Sequence, residues 1–194
     1  MARAAILVAV MAHAAAFSPS PPPRCRRGEP TTRTLTRHGA GSTCPPVPIP
    51  ERSDEQGLAV LGLGCFWGPE KEFRDTKGVV DALVGYCGGS EPSPTYKDIK
   101  DYTEAVMVTY QKDVYGLDDI VGMALERHPP MPPAMSGNQY RSVVWVRDEE
   151  ERAAAERAIA KQAASFVTVE DLGETTFYRA EEYHQNYMNK NGRR

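Results

Sequence analysis

The sequence predicts an α+β fold, a ferredoxin-like α/β sandwich with a split β-α-β core and helical additions toward its C-terminal end. Three observations predict it. Four strand-like runs stand at 58–63, 79–86, 103–110 and 142–146. Two stretches with helical spacing lie between the first and second runs and between the third and fourth. The order is therefore strand-helix-strand-strand-helix-strand, with no internal repeat.

Residues 58–63, Leu-Ala-Val-Leu-Gly-Leu, are apolar without alternation and read as a buried strand. Pro69 suits a first helical turn, and a helix over 70–76 stops at Lys77-Gly78. Residues 79–86 read as a strand, and 87–94 as a loop dense in turn formers. Residues 103–110 alternate and read as a strand. Leu117–Arg127 reads as a helix with Asp118 and Asp119 in its first turn, stopped by His128-Pro-Pro-Met-Pro-Pro133, after which 136–139 read as loop. Ser142–Val146 is a strand. Residues 148–166 are an Ala/Glu/Arg-rich helix with Asp148 as its cap. A short strand at 166–169 and a helix over 180–189 complete the list.

The first 56 residues read differently. Residues 1–17 carry Arg3, an apolar run and a small-residue stretch, which is signal-like. Residues 18–50 are rich in Pro, Arg, Ser and Thr and read as transit-like, ending in an extended Pro-rich segment, 45–50. A two-part presequence of this kind resembles those of algae with secondary plastids and sets plastid (chloroplast) delivery as the expectation, with secretion or mitochondrial import as alternatives. Residues 1–56 hold seven Arg and four acids, so of the net charge of −3 the remainder carries −6. A domain of that sign has no basic stripe for nucleic acid. No stretch after residue 57 is long and apolar enough to be a membrane span, and a monomer is expected. The domain, 57–194, keeps two of the four cysteines, Cys65 and Cys87. With no Cys-x-x-Cys, neither a disulfide scaffold nor a metal site is expected.

Cys65 stands where the first strand meets the first helix. Unpaired backbone N–H groups and the helix dipole there would favour a thiolate, and Phe66 and Trp67 set apolar walls beside it. An inert core cysteine is the bland alternative. Glu104, at the start of a strand expected to be buried, should have a raised carboxyl pKa, unless it faces water at the strand end.

Gly64-Cys65-Phe66-Trp67-Gly68 resembles the active-site signature of the methionine sulfoxide reductase A family. The resemblance continues in order through Gly85-Tyr86-Cys87-Gly88-Gly89, Pro94-Thr95-Tyr96, Glu104-Ala105-Val106, Gln139-Tyr140-Arg141-Ser142 and Ala180-Glu181-Glu182-Tyr183-His184-Gln185. It implies the following roles. Cys65 attacks the sulfoxide sulfur and becomes a sulfenic acid, and Glu104 is the acid for the departing oxygen. Tyr96 and Tyr140 give phenol hydrogen bonds to that oxygen, and Phe66 and Trp67 form the slot for the S-methyl group. Read from their own settings rather than from the resemblance, Arg141 and Glu182 orient loops, and His184 has a helix-surface or packing role. No cofactor is bound. The partners are oxidised proteins or peptides and an external thiol reductant, thioredoxin or glutathione/glutaredoxin.

The sequence departs from the family at several points. The loop before Glu104 is shortened, Pro129 follows His128 where the family has Asp, and Met135 stands where the family has a pocket aspartate. The resolving cysteine common near the family's C-terminus is absent, which leaves Cys87 as the internal candidate to resolve the sulfenic acid. Two rival readings stay open: a thiol peroxidase or redox sensor using a low-pKa Cys65, and a non-catalytic module that binds Met-containing peptides.

Overall fold

The computed structural model describes residues 44–51, 53–173 and 175–192. At its centre lie β2 (Gln56–Leu63), β3 (Val79–Cys87), β4 (Thr103–Gln111) and β5 (Ser142–Val146), in the spatial order β3-β4-β2-β5 with every neighbouring pair antiparallel. With α1 (Trp67–Asp75) between β2 and β3, and α2 (Leu117–Arg127) between β4 and β5, this is the predicted split β-α-β core. α4 (Glu149–Lys161) crosses over so that β6 (Val167–Asp171) joins β5 in parallel. β7 (Phe177–Arg179) pairs with β3 on the opposite side, and β1 (Pro46–Val47) pairs with β7.

The period of two in each strand sends alternate side chains to opposite faces. Ala59, Leu61, Leu63, Val84, Tyr86, Val106 and Val108 pack under Phe73 of α1, Ile120 and Val121 of α2, and Ala155 of α4. The other face holds Val60, Cys87, Ala105, Met107, Val143, Trp145 and Phe177. The helices α1, α2 and α4 thus cover one side, as an α+β sandwich requires.

Three local expectations change. The helix foreseen over 148–166 ends at Lys161, with Ala163 in a left-handed conformation (φ 51°) just beyond it. The stretch after Pro132 contains one helical turn, α3 (Pro133–Ser136). The helix expected over 180–189 is mostly irregular and leaves only α5 (Tyr187–Lys190). Tertiary hydrogen bonds replace the helical ladder there. The Gln185 carboxamide donates to the carbonyls of Val84 and Ala180 and accepts the Val84 N–H, and Asn186 turns left-handed at φ 55°.

Residues 45–50 are extended as predicted, yet they are attached. Pro46 and Val47 lie opposite Tyr178 and Phe177, the Arg179 N–H donates to the Pro45 carbonyl at 3.0 Å, and Cys44 is buried in the core. Sheet and core therefore draw on residues from 44 onward, ahead of the boundary expected at 57. The signal-like stretch 1–17 and the transit-like residues up to 43 lie outside the described residues. Among the described residues no helix is long and apolar enough to cross a membrane.

Candidate active site

β2 ends at Leu63, and Gly64 takes φ +74°, a left-handed conformation open to glycine, which turns the chain into α1. Cys65 is the residue on that corner and is exposed, while Phe66 is the N-cap of α1. The N–H of Trp67 reaches the Cys65 sulfur. The junction is therefore as predicted, but its electrostatic outcome is not. Protein packed around the sulfur pushes the Cys65 thiol up, the Trp67 N–H only partly offsets this, and the charge of Glu104 pushes it up further. The surroundings of the sulfur therefore work against the expected preference for thiolate, since desolvation and the Glu104 charge exceed what the Trp67 N–H supplies.

Glu104 is 1% exposed, on β4 opposite Tyr86 of β3. Its Oε2 accepts the N–H of Phe66 at 3.1 Å, and its Oε1 accepts Gln139 Nε2 at 2.8 Å. Burial raises its carboxyl above the usual range, as expected, and these two donors, which favour the carboxylate, only moderate the rise. Gln139 carried no chemical role in the sequence reading, yet its side chain touches both Glu104 and the Tyr140 hydroxyl, the latter at 3.0 Å. Its place beside Tyr140 was the available signal.

Tyr96 and Tyr140, on separate loops, come close enough together to influence each other's hydroxyl. Burial pushes Tyr140 up to about 12, and the nearby Glu104 charge adds to it. Glu181 fixes Tyr96. Its Oε1 accepts the Tyr96 N–H at 3.0 Å and its Oε2 accepts the Tyr86 hydroxyl at 2.8 Å. Burial alone would raise the Glu181 carboxyl, but these donors and Cys44 together hold it below its ordinary value.

The aromatic residues divide. Phe66 is buried between Tyr86 and His184, with ring centroids at 6.1 and 5.3 Å, and so forms the floor of the site. Trp67 is half-buried and stacks on Tyr187 at 4.0 Å with an 11° interplanar angle. Its indole Nε1–H donates to Nδ1 of His184 at 3.1 Å. His184 is fully buried, so the helix-surface alternative does not hold; it anchors the indole. His184 comes from the irregular segment before α5, and Tyr187 is the first residue of that one-turn helix, too short for a periodic pattern to be read.

The remaining expectations fall outside this cluster. Cys87 is completely buried on the opposite face of the sheet from Tyr86, among Val143, Trp145 and Phe177, and burial pushes its thiol up to about 12. It is not brought to Cys65 as a resolving thiol, because successive residues of β3 face opposite sides. Met135 is 74% exposed and turned outward. Arg141 bonds Thr103 Oγ1 and Glu170 and lies over Trp145, which holds its loop. Glu182 is exposed and pairs with Arg179 and Lys190. A Cβ at Gly68 would lie 3.1 Å from the His128 imidazole, a tight contact, and that imidazole bonds Glu72 at 2.8 Å. No group of three His, Cys, Asp or Glu among the described residues is arranged to hold a metal ion.

The family model of peptide methionine sulfoxide reductase matches residues 57–194. Peptide methionine sulfoxide reductase MsrA of Methanothermobacter thermautotrophicus is 40% identical over 151 residues, covering 70% of this chain and 88% of that one. The mitochondrial peptide methionine sulfoxide reductase of Bos taurus is 33% identical over 158 residues, covering 74% and 66%. Among solved structures, methionine sulfoxide reductase A of Corynebacterium diphtheriae superposes with a TM-score of 0.59 at 32% identity, over 72% of this chain and 76% of that one. Reduced Mxr1 of Saccharomyces cerevisiae gives 0.62 at 30% identity, over 75% and 91%. The family model spans the core strands β2 to β5 and the segments that gather around Cys65, and on that ground the chain belongs to the peptide methionine sulfoxide reductase A family.

Proposed function

We propose that this chain reduces methionine sulfoxide in oxidised proteins or peptides, acting on the S epimer, as a repair activity. The observation that carries the reading is the exposed Cys65 beside buried Glu104, whose carboxylate holds the backbone N–H of the next residue, Phe66. Cys65 sulfur attacks the sulfoxide sulfur while the oxygen is protonated; the oxygen then passes from the methionine sulfur to the Cys65 sulfur as the S–S and S–O bonds of the adduct break, releasing methionine and leaving Cys65 as a sulfenic acid. Protonated Glu104 gives its proton to the oxygen and takes back the one the thiol gives up, so no net proton is consumed. Trp67, stacked on Tyr187 and anchored on His184, stands as the apolar wall for the methyl group.

Two equivalents of external thiol then reduce the sulfenic acid to thiol and water, becoming a disulfide. Thioredoxin, or glutathione with glutaredoxin, is the proposed reductant, and the buried position of Cys87 favours direct reduction over an internal disulfide. A peroxidase or sensor would need a stabilised thiolate, which the protein packed around the Cys65 sulfur and the Glu104 charge work against. The protein is proposed to act as a monomer, delivered to plastids by residues 1–56. Fusion of that segment to a fluorescent protein tests the address.

The test of the reaction is turnover of a methionine-(S)-sulfoxide peptide by the full chain with dithiothreitol. Turnover lost in Cys65→Ser and kept in Cys87→Ala supports the reading. A folded protein with free Cys65 and no turnover would overturn it.

A further inference from the structure

The indole of Trp67 is held in two ways, its edge by His184 and its face by Tyr187. The second hold begins one turn further along α1. Glu70 follows Trp67 by three residues, so the two side chains leave the same face of the helix. Glu70 is buried, and its Oε1 accepts the backbone N–H of Asn186 at 2.7 Å and the Nε–H of Arg74 at 3.3 Å. Arg74 in turn donates to the Ala82 carbonyl and pairs with Asp81, which ties this corner of α1 to β3. Asn186 is the left-handed residue, φ 55° and ψ 39°, that turns the chain into α5. Non-glycine residues enter that conformation at a cost and keep it where their surroundings hold them there. Gln185 fastens the chain to β3 just before the turn, and the Glu70 bond fixes the turn itself. The next residue is Tyr187, whose ring lies on the indole at 4.0 Å. Trp67, Glu70, Asn186 and Tyr187 thus close a ring of contacts.

We infer that Glu70 is a positioning residue for the substrate slot. By holding the Asn186 turn it sets Tyr187 on Trp67, and so fixes the wall that receives the S-methyl group. The inference rests on the reductase reading. Glu70 touches no reacting atom and carries no proton in the reaction, so its loss is felt in the binding of sulfoxide and not in the step at Cys65 and Glu104. What the slot needs from Glu70 is an acceptor oxygen beneath the Asn186 N–H. The ion pair with Arg74 serves a different end, the seating of α1 on β3.

The test is kcat and KM of the full chain on an N-acetyl-methionine-(S)-sulfoxide amide with dithiothreitol. Tm is measured alongside, with the emission of Trp67 taken as the difference from a Trp67→Phe chain. Glu70→Ala raises KM about fivefold, the worth of one aromatic pair, and leaves kcat within about twofold. Tyr187→Ala raises KM by as much, and the double variant is no worse than Tyr187→Ala, because both remove the same stack. Glu70→Gln, which keeps an acceptor oxygen for the Asn186 N–H, restores KM although it loses the ion pair with Arg74. Arg74→Met lowers Tm as Glu70→Ala does and leaves KM at the wild-type value. Trp67 emission shifts to the red in Glu70→Ala and Tyr187→Ala, and stays in place in Glu70→Gln and Arg74→Met. Glu70→Leu, which fills the volume without an acceptor, repeats the effects of Glu70→Ala if that variant fails to fold. A KM that follows Tm across these variants, or a double variant worse than Tyr187→Ala, overturns the inference. A wild-type chain that turns over no sulfoxide overturns the reductase reading itself, and the emission series then decides whether Glu70 holds the stack.

Discussion

Glu104 holds the amide of Phe66 at 3.1 Å, so the acid and the nucleophile's own backbone are tied to each other across 38 residues of sequence. Glu104→Gln keeps the shape of the side chain but cannot carry a proton. It is expected to lower kcat by about 100-fold or more, with a smaller effect on KM. Because burial holds the Glu104 carboxyl above its ordinary value, activity that needs its protonated form persists above the usual carboxyl range and declines as pH rises through the raised value. A rate-against-pH profile of Glu104→Gln should lack that decline.

His184 sets a limit on the acid side. Its Nδ1 accepts the Trp67 indole N–H, and burial depresses its pKa below the ordinary 6.5, with Glu181 opposing only in part. A buried histidine of this kind contributes its stability fully above the unfolded value and loses it as pH falls through the depressed one. Protonation at Nδ1 removes the acceptor of the indole. KM for sulfoxide should rise and Trp67 emission should shift below that value, while both stay flat above neutrality. His184→Leu should show the raised KM at every pH and cost about 1–3 kcal/mol, since it leaves the indole N–H unpaired.

The three described thiols should react in a fixed rank. Cys65 is exposed, whereas Cys44 and Cys87 are buried and each is pushed up to about 12. Iodoacetamide on the native chain should mark Cys65 first, and mark the other two only in denaturant, as read by mass mapping. Cys87→Ala should leave turnover unchanged with dithiothreitol and with thioredoxin. A loss confined to thioredoxin would restore Cys87 to the resolving role.

Starting the chain at residue 57 removes β1, the carbonyl that accepts the Arg179 amide, and the buried Cys44. It should lower stability by roughly 2 kcal/mol, or about 4–8 °C in Tm by calorimetry. A chain starting at residue 40 should match the full protein.

The core was legible because its strands and helices repeat with their own periods. Leu117–Arg127 and Ser142–Val146 fall where the sequence places them. Cys65, Glu104, Tyr96 and Tyr140 were legible through an ordered set of motifs, and the structure gathers them. What stayed hidden has no period. Gln139 acts through two side-chain bonds, Tyr187 through one stacked ring, and Pro46–Val47 through pairing with a strand some 130 residues later. The ionisation of Cys65 was misread for a related reason. A helix start is visible in sequence, but the Glu104 charge and the protein packed around the sulfur are supplied by distant segments.

The wall of the site is built from both ends of the described chain. β7 leads directly into Glu181, His184 and Tyr187, and β7 is itself held between β3 and the N-terminal arm. Contacts of such long sequence separation close late in folding. A chain emerging from a ribosome, or threading through a membrane pore, would therefore present Cys65 before it has Trp67's anchor or the clamp on Tyr96. Its thiol would meet oxidants as an ordinary cysteine until the last strand docks. Competence to repair arrives in one step, with the C-terminal segment, rather than growing as the domain is made.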